Sequence, residues 1–532
     1  MSDGKETNRR VSRFAAVFAG GTMLSRALGL VRDMVIGGLV PDASRDAFLF
    51  AFRFPNMLRD MLGEGAANAA FVPVFAEARE KDSEAKYREL VSACLSAMIL
   101  LFGALTVIGL LLIPWVPAII EALRPLTRAE PKDAEQLRLT VRLIYWTFPY
   151  LFFIGLAVFA MGPLFVARHY GTPSWSPVLL NLALIATCLG LRDWFPDPAW
   201  ALVTGVWLGG VAQWAAMWLA MKRHTGVLLP NFQLGHPGIR RAAWLLGPVI
   251  LGQAAGEVNK LVDGFFAYSL SDGVVSALFY ANRLVQLPLS VFGVAVAVAI
   301  LPDISRAAAR RDDLAIRETL LHGYRQSFFL AAPAMLGLLA LGRPIVRLLF
   351  ERGHFGEEMT NMTSISLFYY GLGILSFVWV KISVQGFYAE QNTRTPVIIA
   401  SASMVLNILL NCALVGLLGY RGLAIATTLS FTVNFLLLYV FLCNRHGLLW
   451  DAATASALGR TTLAALIATA AAYGLWTRIA LLTTGASLWA QCLAVGTAIM
   501  GACLVYLGLC KSLKIKELNY FMEMFDRRHA SR

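Results

Sequence analysis

Residues 95–116 read LSAMILLFGALTVIGLLLIPWV, a run without a single charged side chain. An α-helix rises 1.5 Å per residue, so about 20 such residues cross the roughly 30 Å of hydrocarbon in a bilayer. Runs of the same kind recur along the whole chain. Of its 532 residues, 58% are hydrophobic and 15% charged, and the mean hydropathy is +0.62. A soluble domain carries about 25% charged residues to cover its surface. The bilayer is therefore the solvent of this chain. Gly and Pro inside the runs argue for packed membrane helices, where small residues let backbones approach and neighbours satisfy freed backbone groups.

The formal charge of +13 does not indicate nucleic-acid binding. Lys and Arg fall at the ends of the apolar runs, where they act as topology signals and meet anionic headgroups. The seven cysteines, Cys94, Cys188, Cys412, Cys443, Cys492, Cys503 and Cys510, are an odd number with no C-x-x-C spacing. They suit neither a disulfide framework nor a zinc site and read as small buried hydrophobes. At the N-terminus a short basic stretch (Lys5, Arg9, Arg10, Arg13) leads into Phe14–Leu30 without an A-x-A-like cleavage site, so the first helix is expected to stay.

Fourteen spans are expected, centred near Leu24, Leu58, Leu101, Leu156, Leu184, Leu208, Ala255, Val291, Pro333, Leu375, Leu406, Leu436, Ala470 and Val495. The second, seventh and eighth are the least hydrophobic. Basic connections alternate with connections poorer in Lys and Arg. The basic ones are the N-terminus, Arg79–Arg88, Lys222–Arg241, Arg306–Arg317, Arg445–Arg460 and the tail from Lys511. The positive-inside rule then places both termini in the cytoplasm, which requires an even count.

A faint repeat appears at an offset of 230, where Asp33 falls on Asp263, Ala47 on Ala277, Ala51 on Ala281 and Arg53 on Arg283. Pro73 pairs with Pro302. Near an offset of 220, Ser176-Pro177-Val178 matches Thr395-Pro396-Val397, and Arg223-His224 matches Arg445-His446. Spans one to six thus resemble seven to twelve. Six is even, so the halves share one orientation, related by a pseudo-twofold along the membrane normal. The expected architecture is all-α: two pseudo-symmetric six-helix lobes, residues 1–240 and 241–450, then two appended helices and a cytoplasmic tail in 451–532.

Ionisable residues inside the spans carry the functional information, because each costs about 2.5–3.5 kcal/mol at mid-helix. On the first helix Arg26, Gly29 and Asp33 share a face, with Arg32 on an adjoining one. On the second, Asp46, Arg53 and Asp60 are nearly in line, Glu64 lies one turn on, and Pro55 can kink the helix between Arg53 and Arg59. The seventh carries Glu257, Lys260 and Asp263, the eighth Arg283 and the tenth Lys381. Local ion pairs (Arg26 with Asp33, Arg53 with Asp46, Lys260 with Glu257) are the simplest account of the acids. The arginines Arg26, Arg53, Arg59 and Arg283 come from helices that the repeat places about the central axis. A wet cavity lined by them suits a polyanion, since the planar guanidinium fork matches phosphate oxygens.

No G-x-x-x-x-G-K-[ST], H-E-x-x-H or G-x-S-x-G occurs, and no two aspartates stand two apart. No metal, cofactor or catalytic residue is indicated, and the histidines are spaced unlike metal ligands.

The strings Ser25-Arg26-x-Leu28-Gly29-x-x-Arg32-Asp33, Asp46-Ala47-Phe48, Arg53-x-Pro55-Asn56-x-Leu58-Arg59, Glu64-Gly65-Ala66 and Phe71-Val72-Pro73 resemble the MurJ/MviN family. These are lipid II flippases of peptidoglycan synthesis within the multidrug/oligosaccharidyl-lipid/polysaccharide exporter superfamily. Further matches are Phe148-Pro149-Tyr150, Pro177 with Asn181, Arg283 with Pro288 and Gly293, Leu301-Pro302, and Gly386-Phe387-Tyr388 with Thr395-Pro396. The resemblance implies fourteen helices in two lobes, a cationic cavity open alternately to each side, and a hydrophobic groove beside the last two helices for the undecaprenyl chain. It implies substrate binding by Ser25, Arg26, Arg32, Arg53, Arg59 and Arg283, and gating or orientation of the arginines by Asp33, Asp46 and Glu64. The implied partners are lipid II, membrane lipids and cell-wall synthesis proteins. One departure stands out: relatives can carry acids beside and just after the eighth-helix arginine, where this chain has Asn282 and Gln286. That puts any ion coupling carried over from relatives in doubt. Competing readings are a drug/cation antiporter or O-antigen-type flippase of the same superfamily, a polyprenyl-phosphate transferase, and an assembly scaffold. A cation exporter would line its cavity with acids rather than arginines.

Overall fold

In hydrocarbon each backbone N–H must bond within its own segment, so long apolar runs become helices. The computed structural model describes the backbone of residues 2–62, 64–130, 132–226, 228–447, 450–482 and 488–520, and within these the side chains of all but 2–19, 62, 64–69, 248, 251, 482 and 488. The described residues are helical nearly throughout, and each of the fourteen expected centres falls inside a helix.

Packing divides the chain into two compact units, residues 1–276 with Arg352–Phe355, and residues 277–351 with 356–532. The first holds α1 (Ser2–Leu39), α2 (Asp42–Leu62), α3 (Glu64–Lys81), α4 (Glu84–Leu112), α5 (Val116–Thr127), α6 (Ala134–Thr147), α7 (Tyr150–Val166), α8 (Gly171–Gly190), α9 (Ala199–Thr225) and α10 (Pro237–Ser269). α10, the seventh span, packs on α2, α3 and α5. The first turn of α11 (Val274–Pro288) belongs here too. Aromatic rings form much of the core: Phe50 stacks on Tyr268 with centroids 4.6 Å apart, and Phe71, Phe75 and Phe159 pack together. α8 lies against α9 so closely that a Cβ on Gly209 would stand 2.9 Å from the Leu180 Cα.

The second unit holds the rest of α11, a π-helical turn (Leu289–Val294), α12 (Ala295–Ala309), α13 (Asp313–Phe350), α14 (Glu357–Leu372), α15 (Ile374–Ala389), α16 (Arg394–Leu418), α17 (Tyr420–His446), α18 (Ala452–Leu482) and α19 (Leu488–Ser512). The appended pair α18 and α19 packs on α13 through Phe329, Ala464, Ala465, Ala468 and Tyr506. The Tyr506 hydroxyl donates to the Phe329 carbonyl at 2.6 Å.

Several elements at the offsets of the expected repeat share local features. α9 and α17 are each 27 residues long and end on Gly226 and Gly447, with φ of 79° and 81°. Arg168 and Gln391, just beyond α7 and α15, both adopt positive φ. Ser83 caps α4 and Asp312 caps α13. The compact units divide in the first turn of α11, whereas the sequence reading expected lobes dividing near residue 240.

Among the described residues, ten helices or joined helices are long and apolar enough to cross a membrane, and α14 with α15, bent by 42°, supplies an eleventh. The remaining long segments are α1, α2 with α3, and α10. These carry Arg26, Arg32, Asp33, Asp46, Arg53, Arg59 and Lys260.

Candidate functional site

α1 runs beside α8. Gly21, Ser25 and Arg32 follow one another on α1 at helical spacing, and a Cβ on Gly21 would sit 2.8 Å from the Ser174 carbonyl oxygen. On the same side Arg32 donates from Nη1 to Asn181 Oδ1 at 3.1 Å and from Nε to Asp33 Oδ1 at 2.9 Å. Asn181 Nδ2 donates in turn to the Ser25 carbonyl at 3.1 Å. Asp33 is 2% exposed, whereas the Arg32 side chain keeps 14% of its surface. Arg26 is exposed.

Arg59, on the last turn of α2, bonds Asp60 Oδ1 from Nε and Nη2 at 3.1 and 2.8 Å. The Tyr150 hydroxyl at the start of α7 stands within electrostatic reach of both Arg59 and Arg32, and it donates to Gln213 Oε1 at 3.3 Å. Arg32 and Arg59 are each tied to the acid that follows it in sequence. A guanidinium held in this way still presents a planar face and unused donors to an anion.

Arg53 donates to the Lys260 carbonyl at 2.7 Å and passes over Gly264, where a Cβ would lie 2.8 Å from its Nη1. Lys260 pairs with Glu257 as expected, and Asn259 donates to Asp263 at 3.4 Å. Asp46 is 1% exposed and accepts from the Val275 and Ser276 backbone N–H groups at 3.2 and 2.8 Å, and from the Ser276 hydroxyl. These are first-turn donors of α11, which no intrahelical carbonyl can serve, and a carboxylate there also meets the positive end of the helix dipole. Positions 46 and 276 stand 230 apart, the offset of the expected repeat.

Sequence reading passed over Arg45, the largest fully buried side chain among the described residues. Its Nη1 donates to the carbonyls of Gly37 and Val40 at 2.9 and 3.2 Å, at the end of α1, and its Nε to Ser276 Oγ at 2.9 Å. Nη2 pairs with Asp42, and the guanidinium lies 5.4 Å from the Phe355 ring centroid. A cation is suited to terminal helix carbonyls. Adjacent residues of opposite charge therefore close two different helix ends. The signal was Asp42 three residues before Arg45 at a helix start, an i,i+3 pair on one face.

Arg283 lies half-buried on α11 in the second unit, on a helix where Gln286 donates to Asn282 at 3.2 Å. Lys381 is exposed on α15. Glu64 opens α3, and its side chain lies outside the described residues, as do those of the N-terminal basic stretch. Among the described residues no group of three or more His, Cys, Asp or Glu is placed to hold a metal ion.

Residues 40–493 match the family model described as lipid II flippase MurJ. A probable lipid II flippase MurJ from Haemophilus influenzae is 35% identical over 454 residues, covering 84% of this chain and 89% of the relative. That from Vibrio cholerae is 36% identical over 435 residues, covering 81% and 83%. Among solved structures, a lipid II flippase MurJ in an inward closed conformation superposes with a TM-score of 0.73 at 24% identity, covering 94% of this chain and 99% of the other. An inward-facing multidrug resistance MATE family transporter of the MOP superfamily superposes with 0.63 at 16% identity, covering 82% and 98%. At such identities the structural likeness is one of fold. The match over most of the length, together with the close sequence relatives, decides the family: the chain is a multi-span membrane protein that belongs to the MurJ family, whose members are described as lipid II flippases.

Proposed function

We propose that this chain moves lipid II, the undecaprenyl-pyrophosphate-linked disaccharide-pentapeptide, from the cytoplasmic to the periplasmic leaflet of the inner membrane by alternating access, with both termini in the cytoplasm. The two lobes of the repeat, residues 1–240 and 241–450, rock about the substrate. Arg26, Arg32, Arg53, Arg59 and Arg283, with Ser25, meet the pyrophosphate and the adjoining sugar along a water-filled path. Asp33, Asp46 and Glu64 orient those arginines or act as gates, and the prenyl chain stays in lipid beside α18 and α19.

One observation carries this reading. The helices too polar to pass as apolar spans include those bearing Arg26, Arg32, Arg53 and Arg59. Intramembrane charge is expensive unless it faces partners or water, so its concentration there marks a route for a charged cargo. Named relatives supply the cargo's identity. Depleting the protein from growing cells and assaying the sidedness of lipid-linked precursor tests the proposal. Lipid II should accumulate in the inner leaflet and become inaccessible from outside. Unchanged sidedness would refute it, and a new covalent product made by the purified protein would favour a transferase instead.

A further inference from the structure

The α1–α8 seam contains one buried amide that touches both ends of a two-turn stretch of α1. Asn181 is 6% exposed. Its Nδ2 grips the Ser25 carbonyl at 3.1 Å and its Oδ1 receives Arg32 Nη1 at 3.1 Å. Ser25 and Arg32 are two helical turns apart. They meet one side chain because an arginine's Cβ tilts toward the helix N-terminus and its long stem runs back along the face. The Ser25 carbonyl has two lone pairs, and the amide can fill the one that the helix ladder leaves.

From this geometry we infer that Asn181 is a positioning residue, fixing the azimuth of the Arg32 guanidinium. The inference rests on the reading that Arg32 meets the substrate pyrophosphate. Asp33 holds the guanidinium through Nε and Nη2, along one edge. A single carboxylate oxygen leaves the plane free to swing about that contact. Asn181 engages the third nitrogen, Nη1, and removes the swing. Three of the five guanidinium donors are then engaged from two directions. Asp33 already offsets the Arg32 charge, so a neutral amide adds a contact without making the cluster net negative, whereas a second carboxylate would repel the pyrophosphate. Gly21 allows the arrangement by letting α1 lie close to α8 at Ser174.

The test is a double-mutant cycle on the full-length protein in detergent, reading lipid II affinity and thermal midpoint together. Asn181→Ala should weaken lipid II binding by about ten-fold, the effect of one hydrogen bond to a charged group. Arg32→Ala should abolish binding, and Asn181→Ala in that background should change nothing further, because both act through one contact. Asn181→Asp, nearly isosteric, guards against misfolding of the alanine variant and should weaken binding at least as much, since a second carboxylate beside Asp33 makes the Arg32 cluster net negative. Normal affinity in Asn181→Asp would overturn the inference. So would an Asn181→Ala loss that adds fully to that of a partial variant, Arg32→Lys. If Arg32→Ala itself bound lipid II normally, the parent reading of Arg32 would fail instead.

Discussion

Arg45 and Asp46 stand side by side and serve separate helix ends. Arg45 closes the end of α1 through the Gly37 and Val40 carbonyls, and Asp46 closes the start of α11 through Val275 and Ser276. Removing one member of a buried charged network costs about 3–5 kcal/mol, since the partners stay buried without it. Arg45→Met should therefore lower the thermal midpoint sharply, whereas Arg26→Met, at an exposed position, should stay within about 0.5 kcal/mol of the parent. Differential scanning fluorimetry in detergent distinguishes the two, and equal midpoints would contradict the division of roles. Gly353 makes a second prediction. Its φ is 57°, and a Cβ there would run into the Gly38 carbonyl, beside the His354 N–H that donates to the same oxygen at 3.0 Å. Gly353→Ala should thus strain the backbone by about 1–3 kcal/mol and free this segment from α1. Hydrogen exchange at His354 should rise accordingly.

At the level of helices, the connection between α3 and α10 carries a pH dependence. Glu77, near the end of α3, bonds Lys81 at 2.8 Å and Arg241 of α10 at 2.6 Å. The hydrogen bonds from Lys81 and then Arg241 hold its carboxyl below the ordinary carboxylate value. A depressed native pKa means that its contribution is fully present above the unfolded value and is lost as pH falls through the native one. Below that value the thermal midpoints of the parent and Glu77→Gln should converge, while at neutral pH the parent should be higher; a gap that persists in acid would contradict the tie. Helix existence was legible in the sequence because apolar length and basic ends are local properties. What each intramembrane charge touches was not. The expected pairing of Lys260 with Glu257 is a one-turn relation and appears as read. Asp46, expected beside Arg53, instead bonds residues some 230 positions away. Arg32 finds Asn181, 149 positions on. No spacing rule reports such partners, because they follow from how helices pack. Features that recur at the offsets of the expected repeat are found in caps and left-handed residues, whose backbone geometry tolerates side-chain drift.

For the molecule as a whole, membership of a flippase family meets arginines on the most polar helices. A pyrophosphate carried outward moves negative charge down an inside-negative potential, which supplies about 2.3 kcal/mol per charge per 100 mV. Imposing such a potential on proteoliposomes should accelerate outward transfer, and collapsing it should slow transfer. Indifference to potential would show that the moving unit is neutral, with protein charges or a co-transported cation compensating the headgroup. The most direct test of the central claim is leaflet transfer of fluorescent lipid II in proteoliposomes by the parent protein and by Arg26→Ala, Arg32→Ala and Arg283→Ala variants shown to be folded. The account predicts transfer by the parent and none by the three variants; transfer at the parental rate by all three would contradict it.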